Sequence, residues 1–386
     1  MFMGQKLKYI LVAVASMAVT ALLIGSLLFF ALGGTVSKAG DMIRFIAAVR
    51  FVEERYAGDV EPTALINGAL DGLMKSLGDK YSIYLDQEKF RQLSDMNHGS
   101  FGGIGVVMSF AEPGHCRIMS VMDNTPGKEA GLEPNDEIIA VEGVAVATLQ
   151  PEEIVCRIRG TEGTQVVITI RRQGQPDKDY TLTRSNIHVD TAAGHILPDT
   201  EIGYIRVASF SENTAHEFEE ILSGQREKGI KGLIIDLRAN PGGLIKSCVD
   251  IANLVVPAGD IVSVVDRSGH KEVYQSVNHN ESLPMVVLID NDSASASEIL
   301  AGALKDRQAA TLVGVKSYGK GSVQTILPLF RDDGLKLTVA KYYTPSGASI
   351  DGVGIEPDVE IALPEKPVSD VQLAKAIEVM QGKLNN

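Results

Sequence analysis

From Ile202 onward the chain repeatedly sets a short apolar run against an amphipathic one, and that alternation restricts the fold more than any other feature. "IGYIRVASF" reads as a strand and "TAHEFEEILSGQREKG" as an amphipathic helix. "KGLIIDLR" (Lys231–Arg238) and "PMVVLID" (Pro284–Asp290) are unbroken apolar strands that belong in an interior. "SASEILAGALKD" (Ser295–Asp306) is then a helix and "ATLVGV" a further strand, with one more helix expected over Asp370–Lys383. Strands and helices that alternate in this way specify an α/β core.

The 386 residues exceed one typical domain, so two or three are expected. A net charge of -13 leaves no basic surface to neutralise phosphates, which excludes nucleic acid as a partner. The cysteines, Cys116, Cys156 and Cys248, are odd in number and far apart, so neither a disulfide framework nor a CxxC metal site is expected. The seven histidines are scattered without an HExxH motif, and no metal or other cofactor is expected. Tyr9–Leu32 is a run of 24 uncharged residues preceded by Lys6 and Lys8. As a helix at ~1.5 Å per residue it is long enough for a ~30 Å bilayer core. The flanking lysines place its start in the cytoplasm and export the bulk of the chain. The expectation is a single-pass membrane anchor, with a cleaved signal peptide as the rival; only Ala31-Leu-Gly33 approximates a cleavage site.

Residues 40–97 carry helical stripes, among them Ile43, Ile46, Ala47, Val49 and Phe51, then Leu65, Ala69, Leu70, Leu73 and Met74. The composition next turns glycine-rich in "GSFGGIGVVM" and then strand-like. The loop Gly102-Gly103-Ile104-Gly105-Val106, followed by the P-x-x-x-A-G-L-x-x-x-D-x-I pattern from Pro126 to Ile138, resembles a PDZ domain over roughly Gly99 to Arg184. Consecutive backbone N–H groups in such a loop form a nest for a C-terminal carboxylate, and the adjoining strand edge accepts a peptide as an extra strand.

The chemistry concentrates in "VVLIDNDSASASEILAGALKD", where Ser293, Ser295 and Ser297 lie at a strand-to-helix junction. Helix N–H groups and the positive end of the dipole favour an oxyanion there. The bland reading is a helix cap, with Ser295 and Glu298 spaced as a capping box. No GxSxG elbow exists, and His270 and His279 fall in a polar loop before the strand, which disfavours a Ser-His-Asp triad. Lysine is the other base, and Lys320 follows Ser295 by 25 residues, flanked by glycines that permit close packing. A lysine base must be neutral, so burial has to lower its reference pKa of ~10.4. Gly314–Lys320 also fits seven positions of a phosphate loop, but the eighth is Gly321 and "SVQTILPLF" follows as a strand, not a helix. Ser317-Tyr-Gly-Lys320 matches S-x-x-K without the helical turn that motif needs.

With "DLRANPGG", "NDSASASEI", "SYGKGSVQ" and "YYTPSGASIDGVGIEPD" in order after the helical and PDZ-like segments, the chain resembles the carboxyl-terminal processing (tail-specific) serine peptidases. The resemblance implies Ser295 as nucleophile, Lys320 as general base and Gln324 as the residue that orients the lysine. It implies an oxyanion hole from the N–H of Ala296 and of either Gly242 or Gly243. It makes Arg159 a candidate relay between PDZ and catalytic part, a solvated arginine being the alternative. Asp292 stands where related sequences often carry a small residue.

The fold expected is a ββα-type, crotonase/Clp-protease-like α/β core with an inserted PDZ domain and an N-terminal helical region. The boundaries are 1–35 for the anchor, 36–97 for the helical region, 98–185 for the PDZ domain, 186–364 for the peptidase core and 365–386 for a helical tail. The activity implied is extracytoplasmic endoproteolysis near the C-termini of unfolded or flexible proteins, by a protein that dimerises through terminal helices. The rivals are an inactive PDZ adaptor that binds protein tails and an ATP-dependent enzyme that uses Lys320.

Overall fold

The computed structural model describes residues 36–112, 114–278, 283–362 and 369–385, with scattered positions between 16 and 30. The chain forms two compact units, Met1–Tyr84 and Leu85–Asn386. In the first, helix α1 (Val36–Arg55) is followed by α2 (Pro62–Lys75). The start of α2 is set by Pro62 in its first turn and by the Glu61 carboxylate, which accepts hydrogen bonds from the Thr63 and Ala64 N–H groups. The uninterrupted helical reading of 40–97 needs correction, because a short strand β1 (Ile83–Leu85) intervenes. The β-branched and aromatic run there outweighs helical periodicity. Most of the expected anchor, Tyr9–Leu32, lies outside the described residues, and no helix among the described residues is long and apolar enough to cross a membrane.

The second unit opens with α3 (Gln87–His98), capped by the Asp86 carboxylate on the Lys89 N–H and stopped by Gly99 at φ 67°. A ribbon of β2 (Ser100–Gly103) with β9 (Ser185–His188) brackets a small β module. Within it, β3 (Val106–Ser109), β4 (Cys116–Val121), β5 (Glu137–Val141), β7 (Gln165–Arg171) and β8 (Lys178–Thr183) form one sheet in that order, with β6 (Val144–Ala145) against β5. Helices α4 (Pro126–Glu129) and α5 (Pro151–Ile158) complete it around a core that includes Ile118, Ile138, Ile154 and Ile168. Strand β3 is at the sheet's edge.

The remainder is built on a six-stranded sheet ordered β10 (Ala192–Ile196), β11 (Ile202–Val207), β12 (Gly232–Asp236), β15 (Met285–Ile289), β16 (Ala310–Gly314) and β19 (Val359–Glu360). Only the β10–β11 pair is antiparallel. Every residue of β12 and β15 is buried, as the unbroken apolar runs require of strands covered on both faces. Helices α6 (Thr214–Glu227), α7 (Ile245–Val255) and α8 (Ala296–Asp306) pack with one face through Phe218, Leu222, Ile251, Ile299 and Leu300. Helix α9 (Val371–Leu384) covers Ile234, Val286 and Leu288 with Ala376 and Met380. A second, antiparallel sheet comprises β13 (Gly259–Asp266), β14 (Lys271–Ser276), β17 (Ser322–Pro328) and the long β18 (Gly334–Tyr343). The β13–β14 hairpin corrects the expected polar loop around His270: Ile261 and Val262 of β13 are buried in the core, His270 sits in the hairpin turn, and His279 lies outside the described residues.

One buried charge network fastens α9 to the sheet. Asp236, 1% exposed, accepts hydrogen bonds from Tyr204 Oη at 2.7 Å and from Arg238, and Arg238 reaches on to Asp370 at 2.8 Å. The Arg238 guanidinium holds the Asp370 carboxyl below its usual range. Because Asp236 would remain buried without its cation, Arg238→Ala should cost about 3–5 kcal/mol of unfolding free energy, measurable by urea denaturation. Asp370→Asn, whose partner is more exposed, should cost markedly less in the same assay.

Candidate active site

The loop after β15 turns sharply into α8, and Ser295 occupies the turn at φ 56°, ψ -114°. That conformation is strained for a residue with a side chain, by about 1–3 kcal/mol, and persists only where neighbours enforce it. The enforcement is visible. Ser293 Oγ donates to Leu237 O at 2.8 Å and accepts from the Asp290 N–H at 2.9 Å. Ser297 Oγ donates to Asn240 O at 2.9 Å. Both serines are fully buried, so two of the three are structural. Ser295 instead faces a cavity of about 540 Å³ that Lys320, Gln324, Gly242 and Gly243 also line. No histidine lines it among the described residues.

Lys320 arrives from the loop between β16 and β17. The expected capping box is present, but its glutamate does far more than cap. Glu298, 0% exposed, accepts from Ser295 N–H at 2.8 Å and Lys320 N–H at 2.9 Å on one oxygen. Its other oxygen accepts from Ser317 Oγ at 2.6 Å and Gly319 N–H at 2.7 Å. A single carboxylate thus ties the backbone of the serine to that of the lysine. Tyr342 donates its hydroxyl to the Lys320 carbonyl from β18. Gly321 must be glycine, since a Cβ would run into the Asp351 backbone. Ser317 is spent twice, donating to Glu298 and accepting from the Ile355 N–H at 2.7 Å, which removes the S-x-x-K reading.

Gln324, on β17, shares the cavity wall with Lys320. Its Nε2 donates to Ser322 Oγ at 2.8 Å and Ser322 O at 3.0 Å. The glycine pair lies opposite. Asn240, fully buried, accepts from the Gly242 N–H at 2.8 Å and donates to Val207 O at 2.8 Å. A Cβ on Gly242 would sit 2.8 Å from Ser295 Cβ, so only glycine allows the loop this close. With the Gly242 N–H engaged, the N–H groups left without an acceptor among the described residues are those of Gly243 and Ala296. Of the two glycines between which the sequence left the choice open, Gly243 is the one whose N–H is not engaged. Asp292 is exposed, with its N–H on Asp290, and takes no part in the cavity.

The β module reaches the same cavity. Arg159, at the end of α5, stacks over the Phe101 ring at 3.9 Å and lines the cavity with Asp95 and Met96 of α3. Burial pulls the Arg159 pKa down, and Asp95 opposes that. In the loop itself, Gly102 and Gly103 belong to the β2–β9 ribbon. Ile104 and Gly105, the latter at φ 74°, have N–H groups that find no acceptor among the described residues, and Val106 begins the edge strand β3. Sequence reasoning missed Glu298 as a tie, Asn240, and the Asp236–Arg238–Asp370 network. Glu298 had one visible signal, an acid at an otherwise apolar position of α8.

Residues 201–361 match the model of peptidase family S41, residues 117–172 a PDZ domain, and residues 33–89 the N-terminal domain of the activating protease CtpB. The carboxy-terminal processing protease CtpB of Bacillus subtilis is 37% identical over 85% of this chain and 69% of its own length. The carboxyl-terminal-processing protease of Synechocystis is 36% identical over 81% of this chain and 76% of its own. Among solved structures, the photosystem II D1 C-terminal processing protease superposes with a TM-score of 0.51 at 26% identity, over 87% of this chain and 96% of that one. With its α/β core, its PDZ domain and these relatives, the chain belongs to the carboxy-terminal processing serine peptidases of family S41.

Proposed function

We propose that the protein is an endopeptidase that cleaves near the C-termini of unfolded or flexible proteins, with Ser295 as nucleophile and Lys320 as its base. The observation that carries this reading is the strained Ser295 turn, tied through Glu298 to Lys320 and opening on a common cavity. In the acylation step neutral Lys320 takes the Ser295 hydroxyl proton as Oγ attacks the scissile carbonyl. The N–H groups of Ala296 and Gly243 receive the developing oxyanion, helped by the positive end of α8. Lys320 then returns the proton to the leaving amine, and water, deprotonated by the same lysine, hydrolyses the acyl-enzyme. Gln324 Oε1 holds the ammonium between these transfers.

The PDZ domain supplies the preference for chain ends in this reading. The unengaged Ile104 and Gly105 N–H groups receive the terminal carboxylate, and the last residues of the substrate add to the open edge of β3. Arg159 then reports occupancy to the cavity wall it shares with Ser295. From the uncharged Tyr9–Leu32 run we further infer membrane anchoring, with the catalytic part on the extracytoplasmic side. Dimerisation through terminal helices belongs to the same proposal and rests on family likeness.

Ser295→Ala and Lys320→Ala should each abolish cleavage of an unfolded protein without lowering stability. The double variant should be no worse than either single one. Lys320→Arg should be equally inactive, because a guanidinium stays charged; appreciable turnover in it would remove the lysine from the role of base. Glu298→Gln should lower kcat by about 10²-fold or more with a much smaller change in KM, since the nucleophile and base lose their common tether. A stopped assay on a labelled unfolded substrate measures both constants. Amidating the C-terminus of a substrate should slow its cleavage by about fivefold or more, as charge-assisted hydrogen bonds to the loop are lost. Gly105→Val, strained at its positive φ, should make the two forms of the substrate equivalent.

A further inference from the structure

The catalytic cavity contains a second lysine that the chemistry above does not use. Lys336 lies on β18 and lines the cavity with Ser295, Lys320 and Gln324. Strand register locates it. Gln324 pairs with Thr338 and Ile326 with Lys336, so Lys336 is one two-residue step along the hairpin from the row of Gln324. That step is about 7 Å, roughly the advance of two residues of an extended peptide lying along the strands.

Lys336 also differs from several other lysines of the core. Lys305, Lys316 and Lys341 each meet a carboxylate, Asp358 at 3.1 Å, Glu356 at 2.8 Å and Asp351 at 2.8 Å. Lys336 is partly buried, and no ion pair or hydrogen bond engages its ammonium among the described residues. Burial is the sole influence on it and pushes its pKa below the ordinary lysine value. The cavity does contain a carboxylate, Asp95, but the charges acting on it are Arg159, Arg91 and His98. A cation withdrawn from water without a counter-charge is costly, and a cavity built to receive a polypeptide can have that charge supplied by its substrate.

We propose that Lys336 is a specificity-determining residue that binds a substrate carboxylate within the cavity that Ser295 faces. The carboxylate is either an acidic side chain or the free C-terminus of the chain being trimmed. The inference rests on the reading of this cavity as the site of Ser295 chemistry.

The test uses one short peptide in three forms: neutral side chains with a free C-terminus, a single glutamate with an amidated C-terminus, and neutral side chains with an amidated C-terminus. In the wild-type protein at least one acidic form should exceed the neutral amide in kcat/KM by about tenfold, the scale of a hydrogen bond to a charged group. Which form it is identifies the source of the carboxylate. Lys336→Met should lower that ratio about tenfold, leaving only whatever preference the PDZ loop adds, and Lys336→Arg should restore most of it. A ratio undiminished in Lys336→Met belongs to the PDZ loop alone and overturns the proposal, as does a wild type indifferent to all three peptides. Binding of the labelled peptides by fluorescence anisotropy, to Ser295→Ala and to the Ser295→Ala, Lys336→Met pair, gives the same comparison without turnover. There the added methionine should weaken the preferred acidic peptide about tenfold and spare the neutral amide; equal affinities in the two proteins reject the idea. Cleavage by Ser295→Ala alone would instead indict the assignment of the nucleophile.

Discussion

The buried carboxylate of Glu298 is the contact on which the catalytic geometry depends. Removing a carboxylate from water is expensive, and only a full set of donors makes it tolerable. Here the donors are three backbone N–H groups and one hydroxyl, and they come from both chain segments that must meet: Ser295 at the head of α8, and Ser317, Gly319 and Lys320 in the loop after β16. The need to satisfy Glu298 therefore brings the serine and the lysine together. Breaking any one bond leaves a buried charge under-solvated, so the arrangement resists partial loosening.

The opposite wall follows the same logic with neutral groups. Asn240 holds Val207, Gly242, Ala294 and Ser297 through its side chain and carbonyl, which fixes the glycine loop against the Ser295 turn. The Gly242 N–H is consumed in that bracing, and the Gly243 and Ala296 N–H groups remain directed to other use. Strain at Ser295, close approach at Gly242 and burial of Asn240 are thus parts of one rigid corner, supported by the parallel strands β12 and β15 beneath it.

The PDZ domain is inserted so that its connecting ribbon and the end of α5 border the cavity. Arg159 stacked on Phe101 belongs to that border. The same cavity thus has one wall from the peptidase core, one from α3 and one from the PDZ domain.

By itself the sequence determined the α/β class, because unbroken apolar strands such as Leu233–Ile235 and Met285–Ile289 have no stable place outside a doubly covered sheet. It also determined the PDZ-like segment, whose glycine loop and turn pattern are local signals, and it narrowed the nucleophile to a cluster of serines at a helix start. Local spacing did not say which serine reacts. The tertiary structure distinguishes the three by burying Ser293 and Ser297 in hydrogen bonds and turning toward the cavity Ser295, the one that the family likeness had already pointed to. It likewise engages the Gly242 N–H and not that of Gly243, occupies Ser317 in hydrogen bonds, buries Glu298 among donors, and sets Lys336 in the cavity wall. Several of those distinctions depend on partners far along the chain, such as Leu237 for Ser293 and Gly319 for Glu298. Hydrophobic period and turn chemistry are written residue by residue along the chain, whereas the partner of a buried polar group is chosen only when distant segments meet.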